Sequence, residues 1–132
     1  MLPAVLVGNA QKLKESQVPL ETRAAFTKNY PNAKGTWDKE DANYEVNFKE
    51  KGNPVSMVID IHGTIIEKET DIPVSDLPAP ITEYVKKNYA GAKIHGAARI
   101  VKQSGEINYE AEVGRKDLVF DGAGKFIKET KD

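Results

Sequence analysis

Carboxylates carry most of the chemistry that this sequence can offer. Asp38, Glu40 and Asp41 crowd one short stretch, Asp60 and Asp121 each precede a glycine three residues on, and Glu45, Glu110 and Glu112 alternate with apolar residues. A calcium loop draws on about six to eight oxygens around a glycine-enabled turn. Here Lys39 interrupts the acidic cluster, and no glycine or distal glutamate completes it, so a solvated hairpin turn is the preferred reading. Paired acids can share general acid and base work when separation and pKa suit it. Asp60 and Asp121, however, occupy matching places in Asp60-x-x-Gly63 and Asp121-x-x-Gly124, where an aspartate serves to bind turn amides.

Other reactive groups are sparse. The two histidines, His62 and His95, lack clustered ligands for a metal, and no Gly-x-Ser-x-Gly elbow is present. Gly122-x-Gly124 is followed by a strand pattern rather than a helix, so it is no phosphate loop. With no cysteine, disulfides, thiolate nucleophiles and iron–sulfur clusters are excluded. The expectation is a non-enzyme without a cofactor or metal, whose charged and aromatic residues serve recognition.

The elements that must position these residues come twice. Val18-Pro19 to Asn29-Tyr30 and Leu77-Pro78 to Asn88-Tyr89 share their proline and their terminal Asn-Tyr, a repeat of about sixty residues. Asn43-Tyr44-Glu45 returns as Asn108-Tyr109-Glu110, and Lys68-Glu69-Thr70 as Lys128-Glu129-Thr130. Each copy opens on a helix: Pro19 with Thr22, Phe26 and Tyr30 on one stripe, then Pro80 with Ile81, Tyr84, Val85 and Tyr89. Thereafter the period drops to two. Tyr44, Val46 and Phe48 alternate with Glu45, Asn47 and Lys49, as Ile107, Tyr109 and Ala111 do with Asn108 and Glu110. Strands are expected near 34–39, 43–49, 55–61 and 64–70, and again near 93–103, 107–113, 117–121 and 125–130. Their short turns permit only antiparallel meanders. The fold class is α+β, a tandem duplication of a helix plus a four-stranded antiparallel meander. Residues 1–17 read as a leader, 18–71 as the first repeat, 72–80 as a stiff proline-rich connector and 81–132 as the second repeat.

The sheet face away from the helices, bearing Glu45, Asn47, Glu110 and Glu112, is then solvated or a contact surface. Val58 and Val119 fall on it and, with Ile65, form either an exposed apolar patch or a covered packing surface. Trp37, the lone tryptophan, is either a core residue closing the helix–sheet layer or a binding anchor. The candidate partner-binding residues are therefore Trp37, Glu45, Asn47, Val58, Glu110 and Glu112. Interleaved charges with a net of −1 argue against nucleic acid as partner. The apolar run at residues 1–10 is too short to span a membrane and reads as a signal-peptide remnant or an extra strand.

Val18-Pro19, Ala25-Phe26, Tyr30-Pro31, Trp37, Tyr44-Glu45-Val46-x-Phe48, Asp60-x-x-Gly63 and Glu69 form a recognisable set. Leu77-Pro78, Tyr89, Tyr109-Glu110-Ala111, Phe120-Asp121-x-x-Gly124 and Glu129 repeat it. The pattern resembles the PepSY-like proteins with a β-lactamase-inhibitor-protein-like (BLIP-like) fold, small exported proteins of Bacteroidetes. It covers the chain from Val18 onward; in the second copy Ile100 or a neighbour stands where the first has Trp37. The resemblance implies a periplasmic or secreted protein with a non-catalytic role: an inhibitor-like module binding a protein or peptide, acting as monomer or weak dimer. The alternative is an accessory subunit of an envelope assembly.

Overall fold

A computed structural model describes residues 10–131. Among them are two α-helices and nine β-strands, and the chain divides into two compact units between Glu69 and Thr70.

In the first unit, strand β1 (Ala10–Leu13) leads through a 3-10 turn (Glu15–Gln17) to helix α1 (Leu20–Asn29). Strands β2 (Thr36–Glu40), β3 (Asn43–Glu50), β4 (Asn53–Ile59) and β5 (Ile65–Ile72) follow, the last running across the division. Residues 10–13, inside the segment read as a leader, pair antiparallel with β2, Leu13 lying opposite Trp37. The rest of the apolar run lies outside the described residues. Pro19 caps α1, which needs no amide from it at that end. The helix closes at Tyr30, whose N–H donates to the Phe26 carbonyl (2.9 Å), ahead of Pro31.

The second unit holds helix α2 (Ala79–Asn88) and strands β6 (Ile94–Lys102), β7 (Ile107–Val113), β8 (Lys116–Asp121) and β9 (Phe126–Lys131), in antiparallel order. The segment read as a stiff connector is locally wound: Val74–Asp76 form a 3-10 turn and Ala79 already lies in α2. Pro78 is the cap, the place of Pro19 in the first copy, while Pro80 sits within the first turn. Both positions suit proline because first-turn amides have no helical partner.

Each helix covers one sheet face. Phe26 packs edge-on to Trp37 (5.8 Å, 87°) and Phe48 (5.0 Å, 60°) over Val46, Val55, Met57 and Ile59. In the second unit Ile81 and Val85 join Ala97, Ala111, Leu118 and Phe120, and Tyr84 stacks on Phe126 (4.8 Å, 10°). The turns bearing Asp60 and Asp121 do the work expected of them. Asp60 Oδ1 accepts from the amides of His62 and Thr64, and Asp121 Oδ1 from those of Ala123 and Lys125, all at 2.9 Å. Thr22 on α1 donates to the Asp60 carbonyl (2.8 Å), tying turn to helix.

Candidate functional site

Strand alternation decides which side chains share a face. Trp37 lies opposite Val46, so it points with Val46 into the core beneath α1 and is 4% exposed. The indole therefore does not share a face with Glu45, Asn47 and Val58, and it occupies the core position, the first of its two readings. Its counterpart in the second unit is Ala97, opposite Ala111, and not Ile100, which pairs with Asn108 on the other face. Asp38, one residue beyond Trp37, lies opposite Glu45, and Glu45 opposite Val58. The second unit repeats this rung as Ala98, Glu110 and Val119.

The face away from the helix is more enclosed than alternation alone suggests. Glu45 is 4% exposed, Glu110 0%, Val58 7% and Val119 5%. The two valines thus form no exposed patch, and Ile65 packs against the first core instead. Asn47 and Glu112 are half-buried.

In the first unit these groups make a connected polar cluster. Asn47 Nδ2 donates to Asp38 Oδ2 (3.1 Å) and lies 3.4 Å from Glu45 Oε1, while Ser56 Oγ donates to Asn47 Oδ1 (2.6 Å). One amide group thus bridges two carboxylates. The second oxygen of Glu45 is buried without a hydrogen-bond partner among the described residues, as is Glu40 Oε2. Burial pushes the Glu45 carboxyl above its ordinary range against the Asn47 bond, and the charges of Asp38 and Glu67 add to the rise. Glu40 is pushed up to about 7, first by burial and then by Glu45, Glu67 and Asp41. Sequence reading found Glu45 and Asn47 but assigned Asp38 and Glu40 to a solvated turn. The usable signal was the spacing: two acids two apart on β2, a tight turn, then Glu45 and Asn47 two apart on β3.

The second unit differs because Ala98 stands where Asp38 would be. Glu112 Oε1 there lies 2.9 Å from His95 Nδ1, at a bulge between Ile94 and Gly96. His95 Nε2 also lies 2.9 Å from the Gly114 carbonyl, so the ring is held at both nitrogens. Among the described residues no three His, Asp or Glu side chains converge as a metal centre.

The first-unit cluster makes stability depend on pH. A carboxyl whose folded pKa is raised from 4.5 to about 7 holds its proton better in the folded state. Its contribution is full below 4.5 and is lost as pH rises through about 7. For half-buried Glu40 the loss should be about 1–2 kcal/mol after solvent screening. Melting temperature should therefore fall between pH 5 and pH 8, and Glu40→Gln should flatten that slope. An equally steep slope in the variant would place the titrating group elsewhere.

Comparison with known proteins gives a family and a fold. A family model described as "Putative beta-lactamase-inhibitor-like, PepSY-like" matches residues 6–67 and again 64–128. No curated protein matches the chain. Among solved structures, one titled "putative periplasmic proteins" from Bacteroides eggerthii superposes with a TM-score of 0.78 at 16% identity, covering 86% of this chain and 88% of that one. A DUF2874 family protein from Bacteroides uniformis gives 0.77 at 19% identity, covering 86% and 89%. A BLIP-like protein from Bacteroides fragilis gives 0.65 at 20% identity, covering 86% of each chain. At these identities the likeness concerns the fold, which is BLIP-like with two PepSY-like repeats. No helix among the described residues is long and apolar enough to cross a membrane.

Proposed function

The chain belongs to the beta-lactamase-inhibitor-like, PepSY-like family, and from that premise we propose that it is a non-enzymatic binding module acting in the periplasm or outside the cell. The partner is a protein or peptide that presents a lysine or arginine to the sheet face of the first unit. One observation carries this reading: Asp38 and Glu45 face each other across β2 and β3, share the Asn47 amide, and leave one Glu45 oxygen without a hydrogen bond among the described residues. Crowded carboxylates with raised pKa are costly to the folded chain and become favourable when a cation neutralises them. Half-buried Asp38, Glu40 and Asn47 give a cationic side chain its approach, above enclosed Glu45 and Val58. In the second unit Glu112 is the half-buried acid of the corresponding face, with Glu110 wholly enclosed beneath it. Inhibition of an enzyme is one form that such binding can take.

An accessory subunit docked by its sheet edge has less support. The last strand, β9, carries Lys128, Glu129 and Lys131 and pairs with β8 through a bulge at Val119/Phe120. Charges and bulges of this kind blunt an edge against a partner strand.

The test is a calorimetric titration with arginine-containing and glutamate-containing peptides at pH 6 and pH 8. Binding should be confined to the arginine peptides and tighten at pH 8, where Glu40 is ionised. It should weaken about tenfold in Asp38→Asn with Glu40→Gln. Equal binding of both peptide classes, or no response to the double substitution, removes the acidic face from consideration.

A further inference from the structure

We propose that the second unit carries a separate binding cleft for a small organic anion, a carboxylate or phosphate borne on an apolar body. The cleft encloses about 470 Å³ and is lined by Tyr89, Val113, Gly114, Arg115, Lys116 and Lys131. That volume falls within the range of about 300–1,000 Å³ typical of small-molecule sites. It lies where the α2 C-terminus meets the β7–β8 turn and the end of β9, on elements apart from the acidic cluster.

Its chemistry is that of an anion receptor. Three cations line it, and the carboxylate beside them is Glu129, which accepts from the Tyr89 hydroxyl and lies 3.5 Å from Lys116 Nζ. The hydrogen bond to Glu129 pushes the Tyr89 phenol up to about 12, so the hydroxyl stays neutral with its proton engaged by Glu129. Lys116 Nζ stands 5.6 Å from the Tyr89 ring centre. Arg115 offers a planar fork that matches the two oxygens of a carboxylate or phosphate. Val113 and the Tyr89 ring supply the apolar wall. Gly114 takes a left-handed φ of 61°, and His95 bonds its carbonyl, so the turn presenting Arg115 is pinned.

The first repeat provides an internal control. Tyr30 caps α1 as Tyr89 caps α2, and Lys68 Nζ lies 5.3 Å from its ring centre. There, however, Lys68 pairs with Glu50 at 2.9 Å, closer than Lys116 to Glu129, and the β3–β4 turn reads Lys51-Gly52 in place of Gly114-Arg115, with Asn53 where β8 begins on Lys116. Among the described residues the second corner gathers three cations, Arg115, Lys116 and Lys131, beside its tyrosine cap and Glu129. The duplicated scaffold has thus been re-equipped at one of its two equivalent corners.

Nitrogen-15 NMR titration of the whole chain with phenyl phosphate, benzoate and inorganic phosphate tests this. Phenyl phosphate or benzoate should shift the amides of Gly114, Lys116 and Lys131 saturably, leaving Tyr30 and Lys68 unmoved. The tighter of the two identifies phosphate or carboxylate as the preferred group. Arg115→Gln and Lys131→Gln should each weaken binding about fivefold, and Glu129→Gln should tighten it. Both Gln variants at cleft cations replace exposed side chains, so the fold is retained. Shifts that fail to saturate, affinities unchanged in both variants, or inorganic phosphate binding as tightly as the organic anions would overturn the proposal.

Discussion

Replacing Phe120 with alanine should lower unfolding free energy by about 3–5 kcal/mol, the cost of deleting a large aromatic side chain from a close-packed core. Phe120 is 0% exposed and meets Tyr84 edge-on at 5.5 Å (80°) and Phe126 at 5.8 Å (70°). Its removal leaves both rings without the partner that fixes their angle, on top of the lost burial. Because small domains are stabilised by only about 5–15 kcal/mol, this single change should remove a large share of the total. The expected drop in melting temperature is roughly 10–20 °C, measured by circular dichroism. Phe120→Leu should recover most of it. A drop of only a degree or two would mean that the second core is far more plastic than its packing indicates.

The second large effect belongs to the paired turns. Gly63 has φ 85°, and a Cβ there would stand 2.8 Å from the Glu21 carbonyl oxygen in the first turn of α1. Gly124 has φ 90°, and its added Cβ would lie 2.9 Å from Pro80 Cβ in the first turn of α2. Alanine at either position therefore meets two penalties: a left-handed backbone and a steric conflict with the helix start. Together they should cost about 2–4 kcal/mol. Gly52, with φ 83° and nothing within 4 Å of its added Cβ, isolates the first penalty. Alanine there should cost about 1 kcal/mol. Chemical denaturation of the three variants separates the terms. If Gly52→Ala is as damaging as Gly63→Ala, close approach to the helix is not the reason for these glycines.

The glycine comparison shows what was legible beforehand. Asp60-x-x-Gly63 and Asp121-x-x-Gly124 read as turns because aspartate and glycine impose local geometry that needs no distant partner. That Gly63 also touches Glu21 is invisible in a string of letters, since the contact joins residues far apart in the chain. Both helices were legible from their prolines and stripes, and the strands after each helix from alternation. The 3-10 turn at Val74–Asp76 was not, because proline density suggests extension and nothing local opposes it. Strand β1 begins where the apolar run ends, at Ala10, and four residues reading Ala-Gln-Lys-Leu are too few to show a period, so its pairing to β2 is what distinguishes it.

For the candidate site the division is similar. Within each unit alternation groups the acids, Glu45 with Asn47 in the first and Glu110 with Glu112 in the second, and the register sets Val58 opposite Glu45 and Val119 opposite Glu110. Trp37 shows the limit of that reasoning: its face follows from pairing with Val46, and one step of register would have turned it outward.

The sequence by itself determined that this protein is a duplicated α+β chain with two helices, antiparallel strands and aspartate–glycine turns, because those features follow from periodicity and backbone preference. Only the tertiary structure decided where the copies diverge. The opposition of Asp38 and Glu45 in place of Ala98 and Glu110, and the gathering of Arg115, Lys116 and Lys131 near Tyr89, depend on strand register and chain reversal. Those bring distant residues within reach of each other's charge, and electrostatic coupling acts through distance in space and not along the chain.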